Sequence, residues 1–96
     1  MLDLDQRHIN FIKENIWAEI PNVEIYIFGS RTQGNALEYS DVDIALKNEV
    51  KIPIETILKL KVKFENSTFP YKVDIVDLKN LKDKFRGIIE KDLYRI

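Results

Sequence analysis

Two aspartates separated by one residue form the strongest chemical feature of this 96-residue sequence. Asp41 and Asp43 flank Val42 in a β-prone stretch, and a β-strand alternates its side chains, so both carboxylates are expected on one face. Like charges this close repel, which pushes one carboxyl group toward its protonated form unless a cation is bound. Mg²⁺ is usually held by one or two carboxylates together with substrate phosphates. The pair therefore predicts a magnesium site that acts on a phosphate-bearing substrate.

A glycine–serine pair ends the preceding β-prone stretch, and ten residues separate it from Asp41. Gly29 permits a turn that a Cβ would hinder, and Ser30 offers a hydroxyl and backbone N–H groups where a helix can begin. The next residue, Arg31, either reaches a phosphate with its guanidinium or lies on the surface of that helix. The pair could also be only a strand exit and a helix N-cap. Because two carboxylates are expected opposite this glycine–serine pair, we interpret the pair as a phosphate-binding turn.

A third carboxylate is available in the β-prone stretch 71–78, which contains Asp74 and Asp77. Asp77 falls on the same strand face as Val73 and Ile75, whereas Asp74 falls on the other face and lies in mid-strand. A mid-strand carboxylate is the better-fixed group for orienting or deprotonating an attacking hydroxyl. We therefore predict Asp74 for this role, with Asp77 as the alternative or as an assisting group.

These motifs resemble those of a known family. Residues 29–46, GSRTQGNALEYSDVDIAL, are similar to the GSx10DxD signature of the DNA polymerase β nucleotidyltransferase superfamily, and residues 72–78, KVDIVDL, are similar to the strand that bears its third aspartate. Within it the chain most resembles the minimal nucleotidyltransferases, the MntA-type antitoxins that are paired with HEPN-domain RNase toxins. Thr32 departs from the family pattern, in which a small apolar residue is commoner.

The resemblance implies a role for each motif residue. Gly29 and Ser30 would bind the triphosphate of ATP, the substrate, with Arg31 beside them. The implied ligands of two Mg²⁺ ions are Asp41, Asp43 and Asp74. Asp74 would also activate the acceptor hydroxyl.

The implied activity is transfer of AMP from ATP to a hydroxyl, most simply a tyrosine of a HEPN-type RNase toxin, by a protein adenylyltransferase that acts as an antitoxin. Two alternatives stay open. One is a non-catalytic nucleotide-binding adaptor that neutralises its partner by stoichiometric contact, and the other is nucleotidyl transfer to a small-molecule hydroxyl. A chain of this length has no residues left for a second, acceptor-binding domain, so we expect a partner chain and a hetero-oligomer.

The elements that must position these residues alternate along the chain. We predict an α+β nucleotidyltransferase fold in one domain, residues 1–96, with a small mixed sheet of about three strands flanked by helices. Segment 54–65 alternates like a strand, but we interpret it as a helix because 71–78 is the better strand. The remaining predicted elements are a helix from Asp3 or Asp5 to Pro21, strands at 23–28 and 41–47, a short helix at 31–37, and a last helix capped by Asn80 and extending to Leu93.

Composition excludes several other classes of protein. Fifteen basic against sixteen acidic residues give a net charge of −1, which argues against direct nucleic-acid binding. Without cysteine and with only His8, thiolate and multi-histidine metal sites are excluded, so any metal must be held by oxygen. No apolar run approaches the roughly 18 residues of a membrane span, and we expect a cytoplasmic protein.

Overall fold

The computed structural model describes residues 2–96, which form one mixed four-stranded sheet with helices on both faces. The strand order is β3-β2-β1-β4, with β2 antiparallel to β1 and parallel to β3, and with β4 antiparallel to β1. The elements are α1 (Gln6–Glu19), β1 (Glu24–Phe28), α2 (Ser30–Gln33), β2 (Val42–Lys47), α3 (Ile54–Glu65), β3 (Val73–Asp77), a 3₁₀ turn (Leu78–Asn80), α4 (Asp83–Glu90) and β4 (Tyr94–Arg95). The predicted α+β class is confirmed, with four strands instead of about three.

Helix α1 begins and ends where the sequence predicts. Of the two candidate caps, Asp5 is the one used, since its side chain accepts a hydrogen bond from the Arg7 backbone N–H at 3.0 Å. The helix buries Ile12 and Ile16 completely. It ends just before Pro21, which cannot continue a helical hydrogen-bond ladder.

Segment 54–65 is the helix α3, as we interpreted it. Its buried residues Ile57, Leu60 and Phe64 follow each other at spacings of three and four, which is the helical repeat. The strand-like alternation of Leu, Val and Phe with Lys therefore does not set the conformation. Helix α3 packs beside α1 and against β3 on one face of the sheet.

The core lies mainly between the sheet and the layer formed by α1 and α3. Its members from β1 and β2 point to that side, and they include Ile25, Ile27, Val42, Ile44 and Leu46. On the opposite face, α4 covers a much smaller cluster of Ala45, Leu78 and Ile89. Within residues 2–96, no helix is long and apolar enough to cross a membrane.

The carboxyl-terminal third differs from the prediction. Asn80 does not cap α4, because it belongs to the 3₁₀ turn, whose N-cap Asp77 accepts a hydrogen bond from the Lys79 N–H at 3.1 Å. Helix α4 spans Asp83–Glu90, so Leu93 lies beyond it and packs on the smaller cluster. Strand β4 was not predicted, because two residues are too few to show a periodicity.

The predicted short helix at 31–37 is shorter and starts earlier. Helix α2 spans Ser30–Gln33 and ends at Gly34, whose φ of 77° is left-handed. A left-handed glycine is a common helix terminator, so residues 34–37 leave the helix. They lead into the exposed loop that precedes β2.

Candidate active site

The sheet register brings two of the predicted carboxylates next to each other. The parallel strands β2 and β3 pair Asp43 with Asp74, so these side chains leave neighbouring strands on the same face. Val42 and Ile44 are fully buried on the opposite face, as the alternation predicts. Asp41 lies one residue before β2, with the same strand parity as Asp43. The predicted separation of β2 into an acidic face and an apolar face is therefore present in the structure.

All three carboxylates line one open cavity of about 440 Å³ at the edge of the sheet. Asp41 and Asp74 are exposed, and Asp43 is half-buried deeper in the cavity. The structure thus brings together the three acidic residues that the sequence singled out. The remaining lining residues are Lys61, Glu65, Tyr71, Lys72 and Val73.

The cavity is electrostatically unfavourable for Asp43. Partial burial raises the pKa of this carboxyl group above its usual value, and the negative charges of Asp74 and Asp41 raise it further. Asp43 is thus the member of the group that benefits most from a nearby cation.

Gly29 is required by a close approach as well as by its backbone conformation. Its φ of 80° and ψ of −149° lie in a region that is essentially restricted to glycine. A Cβ at this position would also collide with the Oδ2 atom of Asp43. The turn therefore lies directly against the central carboxylate, which links the glycine–serine motif to the aspartate motif in space.

Thr32, the residue that departs from the family pattern, closes the turn that Gly29 opens. Its backbone N–H and its hydroxyl both donate to the carbonyl oxygen of Gly29, at 3.0 and 2.9 Å. These two bonds fix the turn in which Ser30 is the first residue of α2. Ser30 is half-buried, so part of its surface faces solvent.

Arg31 lies in the interior, not on the surface of the helix. Its side chain is only 4% exposed, and the guanidinium stacks over the ring of Tyr71 at 4.1 Å. Its nitrogens donate to the carbonyl oxygens of Ser40 at 2.8 Å, Asp3 at 3.1 Å and Glu38 at 3.4 Å. The surface alternative is therefore wrong. These bonds brace the loop before β2, and the phosphate contact predicted for Arg31 stays a prediction.

Asp77 lies outside the cavity, so the structure separates it from Asp74. It is buried, and its Oδ2 atom accepts a hydrogen bond from the backbone N–H of Ile52 at 2.8 Å. Its other carboxylate oxygen caps the 3₁₀ turn. Both oxygens are used structurally, which matches the strand parity that favoured Asp74.

Lys61 is the site residue that sequence reasoning missed. Its Nζ atom lies 3.2 Å from Oδ1 of Asp74. On a helix, Lys59 and Lys63 are four residues apart and share a side, whereas Lys61 lies on the other side. Those two pair with Glu19 at 3.1 and 3.7 Å. A helical projection of 54–65 separates Lys61 from them and was the signal available.

The donor set fits a magnesium ion. Carboxylate oxygens are the hard ligands that Mg²⁺ prefers, and two of them with substrate phosphates are a common set. Asp41 and Asp43 provide such a pair. Within residues 2–96, no three side chains already converge as a complete metal-binding group. Asp74 is paired with Lys61, so its role as a third ligand stays a prediction.

Comparisons with known proteins agree with this geometry. Residues 10–94 match the family described as "Polymerase beta, Nucleotidyltransferase". The probable protein adenylyltransferase MntA of Haemophilus influenzae is 32% identical over 90 residues, which cover 94% of this chain and 79% of that protein.

Solved structures of toxin–antitoxin complexes have the same fold. One complex, crystallised with AMP-PNP, contains a chain with a TM-score of 0.76 and 26% identity, and the match covers 96% of this chain and 72% of that one. A second complex contains the tri-AMPylated HEPN toxin of Shewanella oneidensis with its MNT antitoxin. Its matching chain has a TM-score of 0.75 and 25% identity, and the match covers 96% of this chain and 71% of that one. The family match covers most of the chain, and the MntA relative is similar over nearly all of it. This chain therefore belongs to the polymerase beta nucleotidyltransferase family and is a minimal, MntA-like nucleotidyltransferase.

Proposed function

We propose that this chain transfers AMP from ATP to a hydroxyl of a partner protein and that it requires Mg²⁺. The observation that carries the proposal is the single cavity lined by Asp41, Asp43 and Asp74, with the turn at Gly29 packed against Asp43. In this proposal residues 1–96 act as one minimal nucleotidyltransferase domain.

Each residue has a distinct task in the proposed reaction. Asp41 and Asp43 would hold Mg²⁺, which supplies positive charge that offsets the charge of the triphosphate. Gly29 and Ser30 would bind the β- and γ-phosphates through backbone N–H groups and a hydroxyl. Asp74 would orient the acceptor hydroxyl and accept its proton. The acceptor oxygen then bonds to the α-phosphorus, the bond to the bridging oxygen breaks, and pyrophosphate leaves.

The proposed acceptor is a tyrosine of a HEPN-type RNase toxin, whose modification would silence the toxin. Two comparisons support a protein acceptor of this kind, and the tyrosine within it is our proposal. The Haemophilus relative is named a probable protein adenylyltransferase, and the Shewanella toxin in the second complex carries AMP groups. In this proposal our chain is the antitoxin of a toxin–antitoxin pair.

Ligand-dependent stability tests the nucleotide site without any partner. A ligand that binds only the folded state raises the melting temperature, so MgATP should do so. Asp41→Ala should abolish the rise, because it removes one proposed metal ligand. Asp83→Ala is the matched control, since Asp83 is a fully exposed carboxylate on α4. A wild-type chain that shows no rise would contradict the proposed site.

Label transfer tests the activity itself. The chain is mixed with a HEPN-domain toxin as the proposed partner, Mg²⁺, and ATP labelled at the α-phosphate. Label should move to the partner, and Asp43→Asn should reduce the rate at least about 100-fold, whereas Asp83→Asn should not. Mass spectrometry of the partner should locate the adduct on tyrosine. If both Asp41→Asn and Asp43→Asn still neutralise the toxin without label, the non-catalytic adaptor is correct instead.

A further inference from the structure

Helix α3 exposes an apolar stripe next to the candidate active site. Ile54, Leu58 and Val62 recur at intervals of four residues and are 58%, 53% and 52% exposed. They share one side of the helix and extend for about 12 Å along it. Large exposed apolar areas on a folded protein usually mark a binding surface.

An apolar groove adjoins this stripe. It has a volume of about 480 Å³ and lies where α3 meets β3 and the 3₁₀ turn. Ile54 belongs both to the stripe and to the groove, so the two form one surface. The residues that line the groove include Ile52, Ile54, Ile57, Lys61, Ile75 and Leu81.

The groove continues into the carboxylate cavity. Lys61 lines both cavities, and the two lie along successive residues of β3, Val73 and Asp74 in one and 75–77 in the other. Strand β3 is at the edge of the sheet, and its outer side pairs with no other strand of residues 2–96. An uncovered edge strand beside an apolar helix face is a hazard for aggregation unless something covers it.

We propose that this α3 surface, Ile54, Leu58 and Val62 with the adjoining groove, docks the protein that carries the acceptor hydroxyl. The inference rests on the proposed function. The occupant must reach the proposed base Asp74, and the α3 surface is joined to Asp74 through Lys61, whose Nζ atom is 3.2 Å from that carboxylate. The fitting partner therefore presents an apolar segment within a few residues or one helical turn of its acceptor hydroxyl.

The test compares exposed apolar residues on opposite faces of the sheet. Leu58→Glu and Val62→Glu place a charge in the α3 surface, and Ile88→Glu is the matched control because Ile88 is 57% exposed on α4. Helices α3 and α4 cover different faces of the sheet. Three quantities are measured: Kd for the HEPN-domain partner, kcat/KM for labelling it, and the melting-temperature rise with MgATP.

We expect the two α3 variants to weaken the partner's Kd and lower kcat/KM for the partner at least tenfold, with the MgATP-dependent rise unchanged. Ile88→Glu should keep wild-type values. Wild-type Kd in both α3 variants, or equal weakening by Ile88→Glu, would overturn the proposal.

The design separates this proposal from the activity. If the wild-type chain transfers no label, the proposed function fails, yet the Kd values still decide whether α3 is the docking surface. If sedimentation shows that the variants convert a dimer of this chain to monomers while the partner's Kd stays unchanged, the surface is a self-association face and the proposal is wrong.

Discussion

The two faces of the central sheet differ in how much apolar surface they bury. Toward α1 and α3, strand β2 buries Val42 and Ile44 completely within the large apolar cluster. On the other face, α4 covers Ala45 with a cluster of three buried residues, and Asp43 is left at an open cavity. Alternation along one strand thus separates the residues that stabilise the fold from the proposed metal ligand Asp43. The comparison teaches that stability and activity should respond to different substitutions only one position apart.

The largest expected change comes from the buried face. Ile44→Ala removes a fully buried side chain and leaves a cavity, so it should lower the free energy of unfolding by about 2–5 kcal/mol. Urea denaturation measures this. The folded fraction should still gain stability from MgATP, because Ile44 points away from the carboxylates. If that gain disappears, the two faces are not independent.

The next largest effect is expected on the carboxylate face, from a substitution at Gly29. Gly29→Ala forces a Cβ into the Asp43 carboxylate and requires a φ that alanine avoids, so we expect AMP transfer to fall at least about 100-fold. Gly34→Ala is the matched control. It has a similar φ of 77°, but a Cβ there meets nothing within 4 Å. It should cost about 1 kcal/mol of stability and leave the rate per folded molecule unchanged.

A smaller change in stability is expected from α4, the helix that covers the carboxylate face of the sheet. Gly87 lies inside α4, and a Cβ there meets no other atom within 4 Å. Gly87→Ala should stabilise the chain by about 1 kcal/mol, because alanine loses less backbone entropy in a helix. Thermal unfolding measures the gain, with transfer expected at the wild-type rate. A destabilised variant would show that α4 packs differently there.

The smallest effect concerns pH. The pKa of Asp43 is raised in the folded state, so the folded chain binds more protons than the unfolded chain between the usual and the raised pKa. Stability therefore falls as pH rises through that interval, and the penalty is fully present above it. Without Mg²⁺, Asp43→Asn should raise stability at pH 7 by less than about 1 kcal/mol, because water screens this partly exposed group.

The control for that experiment is the pH series itself. The gain from Asp43→Asn should shrink as pH falls toward the usual aspartate pKa of about 3.9 and vanish about one pH unit below it, where the carboxyl group is protonated in both states. A gain that is constant with pH would have a cause other than charge, such as packing of the amide.

The sequence predicted the features of the site that depend on local periodicity. Alternation placed Asp41 and Asp43 opposite Val42, and parity separated Asp74 from Asp77. These inferences need only the two-residue repeat of a strand. The same reasoning identified α1 and its cap, because the cap residue and the apolar repeat lie within one segment.

Features that depend on contacts between distant segments were not predictable in this way. The approach of Gly29 to Asp43 depends on the antiparallel pairing of β1 with β2, which places Phe28 opposite Asp43. Lys61 reaches Asp74 only because α3 packs on β3, a contact that a helical projection of 54–65 alone does not show. Arg31 was expected at a phosphate or in solvent, since nothing local indicates the carbonyl oxygens that surround it.

The hydrogen bonds of Arg31 join the segment ahead of α1 to the helix that follows the turn at Gly29. The backbone N–H of Asp3 donates to the Arg31 carbonyl at 2.8 Å, and the Arg31 guanidinium donates back to the Asp3 carbonyl. That guanidinium also donates to the carbonyl oxygen of Ser40, one residue before Asp41. A change in the backbone at Asp3 should therefore disturb the helix after Gly29 and the loop before Asp41 together.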